Sequence, residues 1–195
     1  MSASPSLVLA STSRHRRMLM ERLGLPFSAM APGVDETRSL REPVERLVKR
    51  LSRAKAEAVA AAHPGALIIG SDQAAEREGE ILGKPGDHAA AEAQLRAASG
   101  KYMKFHTGLC VIDTRDGRVQ EHTDVTRVAF RTLSDAEIER YLRAEKPYDS
   151  AGSFKSEGLG ITLFEGIESS DPSALIGLPL IALCRFLRAA GMELP

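Results

Sequence analysis

The residues best suited to chemistry in this 195-residue chain fall into three groups. A turn of hydroxyls, Ser11-Thr12-Ser13, leads into a helical pattern that carries Arg16 and Arg17 one turn further on. Hydroxyls and free N–H groups at a helix N-terminus bind phosphate, and guanidinium groups grip it through paired hydrogen bonds. Three acids come next: Asp35-Glu36 in a polar loop, and Asp72 directly after the apolar run Leu67-Ile68-Ile69-Gly70. A few such carboxylates suit magnesium, whose usual site adds substrate phosphate oxygens and water. The third group is Lys55, in a helical stretch of mixed charge, and Lys84, held between Gly83 and Pro85 on a stiff loop that would aim it. Each residue also has a plainer use. A serine before a helix is a cap, Asp72 can close a turn, and the basic run Arg14 to Arg17 can be a solvated face or touch RNA.

Composition narrows the choice. Twenty-six basic and twenty-six acidic residues leave no net charge, and no aromatic residues interleave the basic run, so no nucleic-acid or membrane partner is expected. Five scattered histidines, and two cysteines (Cys110, Cys184) lying in apolar runs, supply neither a zinc site nor a disulfide framework. No signal peptide or spanning segment is legible, which points to a reduced, cytoplasmic compartment. The chain has no Walker pattern, no dinucleotide fingerprint and no nucleophile elbow. What remains is a local site for phosphate and a metal.

Those residues need a scaffold. Leu7 to Ala10 reads as a short buried strand, Pro26 to Ala31 as a second, and Pro43 suits the first turn of a helix running to about Ala62. Leu67 to Gly70 reads as a compact strand with Ser71-Asp72-Gln73 at its carboxyl end, where open sheets bind ligands. Gly79 turns a hairpin, Asp87 caps an alanine-rich helix to about Ala98, and strands follow over Met103 to Ile112 and Val119 to Phe130 around an Asp116-Gly117 turn. Ser134-x-x-Glu137 is a capping box, Ile161 to Phe164 reads as a strand, and Pro179 starts a last helix carrying Leu180, Leu183, Phe186 and Leu187 on one face. Strands alternate with helices in the first half and a hairpin interrupts them. The expected fold is therefore α/β, one domain over residues 1–195, with a mixed, twisted central sheet and helices on both faces.

In chain order, Leu7-Val-Leu-Ala-Ser-Thr-Ser with Arg16-Arg17, Val34-Asp35-Glu36-Thr37, Lys55, Gly70-Ser71-Asp72-Gln73 and Gly83-Lys84-Pro85 resemble the blocks of the Maf family. The resemblance continues through Ala151 to Gly158, Gly160 to Glu165 and Asp171 to Leu180, so it covers nearly the whole chain. It implies an ITPase-like mixed α/β fold and a house-cleaning nucleoside triphosphate pyrophosphatase that uses Mg²⁺ or Mn²⁺. By the same resemblance Glu36 and Asp72 hold the metal, Asp72 also activates water, and Ser11, Arg16, Arg17, Lys55 and Lys84 bind the triphosphate. Gln73 would orient or read the nucleotide, with Glu157 and Glu165 as further base contacts. Ser-Asp-Gln at 71–73 looks like the branch acting on 7-methyl-GTP, where the dTTP and UTP branch has Ala-Asp-Thr; Arg14-His15 departs from that branch's usual first block. A homodimer is also implied. Two alternatives stand beside this reading: a nucleotide-binding regulator of cell division with little turnover, and a pyrophosphatase for another nucleotide such as dTTP, UTP or ITP.

Overall fold

Side chains alternate along three neighbouring strands, and that alternation gives the sheet two apolar faces. The strands are β1 (Ser6–Leu9), β3 (Ala66–Arg77) and β5 (Tyr102–Asp113), seen in a computed structural model that describes residues 5–195. Leu7, Leu9, Leu67, Ile69, Leu109 and Val111 pack on one face against Leu19 and Met20 of α1 (Arg14–Glu21) and Leu183, Phe186 and Leu187 of α5 (Leu180–Ala189). Val8, Ala10, Ala66, Ile68, Cys110 and Ile112 pack on the other against Ala56 and Val59 of α2 (Val44–Ala60). Strands covered on both faces read as continuous apolar runs, which is why these were visible in the sequence. Burial pushes the Cys110 thiol up to about 12, so it is an inert core residue.

The sheet has the order β2-β1-β3-β5-β6-β7, with β4 beside β3. β2 (Phe27–Ala29) and β3 both run parallel to β1; β4 (Glu80–Leu82) and β7 (Phe164–Glu168) run antiparallel to β3 and to β6 (Arg118–Phe130). The expected mixed sheet with helices on both faces is what the chain forms.

The chain forms two compact units. The first holds the described residues up to Gln73, with Thr107–Asp124 and Asp171–Pro195. In it α2 lies hard against the sheet, because two glycines face it. A Cβ on Gly70 would lie 2.1 Å from the Ser52 carbonyl oxygen, and one on Gly108 2.4 Å from that of Val48. Gly70→Ala must push α2 outward and is expected to cost about 1–3 kcal/mol in urea unfolding, the usual range for overpacking. An unchanged midpoint would show that α2 retreats freely.

The second unit holds Ala74–His106 and Val125–Ser170. β3 ends there in a two-residue turn, Glu78-Gly79, with φ of 52° and 86°, the left-handed pair that tight hairpins require. Asp87 caps α3 (His88–Ala98) through the Ala90 N–H at 2.8 Å, and Ser134 and Glu137 form the expected capping box on α4 (Asp135–Glu145). Phe105, Phe130, Phe154 and Phe164 meet edge to face, with centroids 4.7–5.7 Å apart.

Two expected boundaries move. Residues Leu159–Leu163 form a 3₁₀ turn and the strand starts only at Phe164. The backbone N–H groups of Gly158 and Gly160 both donate to the Lys155 carbonyl, so the chain coils there before extending. β3, in turn, continues through Ser71-Asp72-Gln73 to Arg77, which places those residues mid-strand and not beyond its carboxyl end. The apolar run stops at Gly70, but the ladder does not, since each of the three polar side chains finds a partner.

Candidate active site

Lys55 is the centre of the first unit's polar cluster. It faces the sheet from α2, is 5% exposed, and donates from Nζ to Asp72 Oδ1 at 2.6 Å while lying 2.8 Å from Glu36 Oε1. Helical periodicity explains its position: Leu47, Val48, Leu51, Ser52, Lys55, Ala56 and Val59 form the buried stripe of α2. A lysine in such a stripe needs carboxylate partners, and it has two.

Asp72 is 7% exposed. Burial raises its carboxyl pKa, opposed by Lys55 and then Arg16, and reinforced by the charge of Glu36. The sign follows directly. A carboxyl whose folded-state pKa is raised favours folding while protonated, and that contribution is lost as pH rises from the ordinary aspartate range through its own value. In carboxyl ¹³C NMR of the metal-free protein Asp72 is expected to titrate above the usual aspartate range, and Lys55→Met to raise it further by removing the main attraction. An unchanged titration in Lys55→Met would show that the ammonium does not act on Asp72.

The neighbouring acids in the first loop separate. Asp35 Oδ1 accepts the Thr37 N–H at 2.9 Å, and hydrogen bonding to Thr37, first its side chain and then its backbone, holds the Asp35 carboxyl below the usual range. Glu36, with its side chain 59% exposed, is the one that reaches Lys55. Arg16 lies within the electrostatic reach of Asp72 and Glu36; burial lowers its pKa and the two carboxylates raise it. Its Nε donates to the Gly177 carbonyl at 2.8 Å, and Ser71 Oγ donates to the same oxygen at 3.0 Å. Gly177 has a φ of 122°, a backbone angle that calls for glycine, so this residue anchors the guanidinium from within the block Asp171 to Leu180. That anchor was not legible from the sequence, although a glycine before Leu-Pro was the available signal.

Ser11 is buried and its Oγ accepts the Ser13 N–H at 3.1 Å, while Ser13 caps α1 by accepting from Arg16 N at 3.4 Å. Arg17 is exposed, and its backbone N–H donates to the Ser13 carbonyl at 3.1 Å. The Gln73 amide nitrogen donates to Thr107 Oγ1 and to the carbonyls of Ala174 and Leu175 at 2.9–3.0 Å. Its donors are committed within the chain, so its carbonyl oxygen is what it can offer a ligand. Lys84, Glu157 and Glu165 belong to the second unit, where all three are exposed.

The first unit thus brings together Glu36, Lys55, Asp72 and the anchored Arg16. The Asp72 and Glu36 carboxylates converge on the Lys55 ammonium, and among the described residues no group of three His, Cys, Asp or Glu side chains is placed to hold a metal ion. Such a donor pair fits a hard divalent cation that completes its shell with phosphate oxygens and water. A family model described as Maf-like protein matches residues 6–190. The chain belongs to the Maf family. Similar curated relatives are named 7-methyl-GTP pyrophosphatase: one from Burkholderia pseudomallei (strain 1710b), 56% identical over 97% of this chain and 90% of its own length, and one from Bordetella avium (strain 197N), 54% identical over 99% and 97%. A third, from Ralstonia nicotianae, is 55% identical over 94% of this chain and 95% of its own length. Among solved structures, the Staphylococcus aureus Ham1 protein overlays 65% of this Maf chain and 72% of its own at a TM-score of 0.46 and 17% identity.

Proposed function

We propose that this Maf protein hydrolyses nucleoside triphosphates to the monophosphate and pyrophosphate, that its substrate is 7-methyl-GTP, and that residues 1–195 act as one catalytic domain. The observation that carries the reading is the buried Lys55 ammonium held between Asp72 and Glu36, beside an arginine anchored for anion contact. The names of relatives at 54–56% identity over nearly the full chain support both the reaction and the substrate. Mg²⁺ or Mn²⁺ held by Glu36 and Asp72 would neutralise charge on the phosphates when bound.

The chain's own groups divide the remaining work. Asp72, with its raised pKa, takes a proton from the water that attacks the α-phosphorus; a base tuned upward from the ordinary carboxylate range is better matched to neutral pH. As the new phosphorus–oxygen bond forms, the bond from the α-phosphorus to the bridging oxygen breaks and pyrophosphate leaves. Lys55, Arg16, Arg17 and Lys84 offset charge on the triphosphate, and Ser11 and the N-terminus of α1 bind its oxygens. The Gln73 carbonyl oxygen accepts from the nucleotide, with Glu157 and Glu165 as base contacts that suit a cationic ring.

Stacking of the 7-methylguanine on an aromatic face is harder to supply. Among the described residues Tyr102 alone is an exposed aromatic, at 51%, and the Arg127 guanidinium already lies 4.0 Å from its ring centroid. Selectivity is therefore expected to rest on hydrogen bonds and charge. Rates on a panel of 7-methyl-GTP, GTP, dTTP, UTP and ITP test this, with kcat/KM expected highest for 7-methyl-GTP. Preference for a pyrimidine would overturn the base assignment and leave the reaction standing. Among the described residues no helix is long and apolar enough to cross a membrane. A cytoplasmic location and the homodimer belong to the same proposal, and sedimentation reads the second directly.

A further inference from the structure

Glu36 is exposed and loop-borne, yet it meets a buried lysine, so something must hold its loop. Arg50, five residues before Lys55 on α2, donates from Nε to Glu42 Oε1 and from Nη2 to Glu42 Oε2, both at 2.8 Å. The same Nη2 donates to the Thr37 carbonyl at 3.1 Å, one residue beyond Glu36. Glu42 closes the ring: its Oε2 accepts the Ser39 N–H at 3.2 Å and its carbonyl accepts from Arg38 Nε at 2.9 Å and Nη2 at 2.6 Å. The paired hydrogen bonds from Arg50 hold the Glu42 carboxyl down at about 2. Arg41 keeps a φ of 57° at the tip, and Leu40 is 94% exposed beside it, so no apolar contact of the tip explains its conformation.

We propose that Arg50 is a positioning residue: through Glu42 and the Thr37 carbonyl it fixes the loop so that Glu36 stays beside Lys55 and Asp72. This rests on the role given to Glu36 above. Arg50 touches neither of those acids in any hydrogen bond, and its fork is bidentate, which a lysine cannot reproduce. Partners that orient a metal-holding carboxylate typically change metal affinity or rate by about 10–100-fold when removed.

The test has two arms on the full chain. In Arg50→Ala without nucleotide or metal, tryptic cleavage after Arg38 and Arg41 is expected to accelerate by about 10-fold, because the clamp no longer orders the segment. Cleavage at the wild-type rate overturns the clamp whatever the enzyme's activity. In the second arm, the Mn²⁺ concentration for half-maximal pyrophosphate release is expected to rise about 10-fold in Arg50→Ala, to recover only partly in Arg50→Lys, and to show no further rise when Arg50→Ala is added to Glu36→Gln. An equal rise in the Glu36→Gln background would show that Arg50 acts by another route and overturn the proposal. If wild-type protein releases no pyrophosphate, the functional reading fails, and the cleavage arm still decides whether Arg50 orders the loop.

Discussion

Asp72→Asn is expected to lower the rate of pyrophosphate release by about 10²-fold or more, the scale of a lost general base, while leaving the fold intact. The substitution is nearly isosteric and keeps an oxygen within reach of Lys55. It removes a charge that burial disfavours but also one of the two carboxylate partners of the buried Lys55 ammonium, so the unfolding midpoint is expected to fall while Glu36 still pairs the lysine. What it abolishes is the capacity to take a proton, together with one of the two convergent negative charges. Steady-state rates with Mg²⁺ and Mn²⁺, set beside the unfolding midpoint of the same preparation, separate the two effects. Near-normal turnover in a folded variant would remove Asp72 from the chemistry.

Lys55→Met tests the other half of the cluster and carries a distinct signature. Without the ammonium, Asp72 and Glu36 face one another with Arg16 and, for Asp72, the charge of Arg50 left to offset them, and like charges close together favour the protonated form of a carboxyl. The base is then shifted further towards its protonated form, and a donor to the triphosphate is gone as well. A loss of about 10²–10³ is expected, the range for one preorganised charge-stabilising group. Part of that loss should return as pH is raised through the elevated Asp72 value. The double variant Lys55→Met/Asp72→Asn should unfold at higher temperature than Lys55→Met alone, since the stranded buried acid is what destabilises the single variant. A pH-independent deficit would confine Lys55 to phosphate binding.

Much of this arrangement was legible in the sequence for identifiable reasons. The strands β1, β3 and β5 are buried on both sides, and continuous apolar runs cannot be placed elsewhere in a chain of this size. Capping residues Ser13, Asp87 and Ser134 announced three helices, because their hydroxyl or carboxylate oxygens satisfy backbone N–H groups that nothing else reaches. Lys55 was visible as a lysine but not as a buried one; its burial depends on Gly70 and Gly108 letting α2 approach, a contact between segments that no local window contains. The same holds for Arg16 and Gly177, 161 positions apart, and for Arg50 and Glu42, whose pairing needs the fold of the intervening loop. Where β3 ends was missed because hydropathy falls at Ser71, whereas strand pairing is indifferent to side-chain polarity once each polar group has a partner.

The central claim is that this site breaks the bond between the α- and β-phosphorus groups, and ³¹P NMR of a 7-methyl-GTP reaction with purified protein and Mn²⁺ addresses it directly. Equal amounts of 7-methyl-GMP and pyrophosphate are the predicted products. Release of orthophosphate with 7-methyl-GDP, or tight binding with no product at any metal concentration, would contradict it.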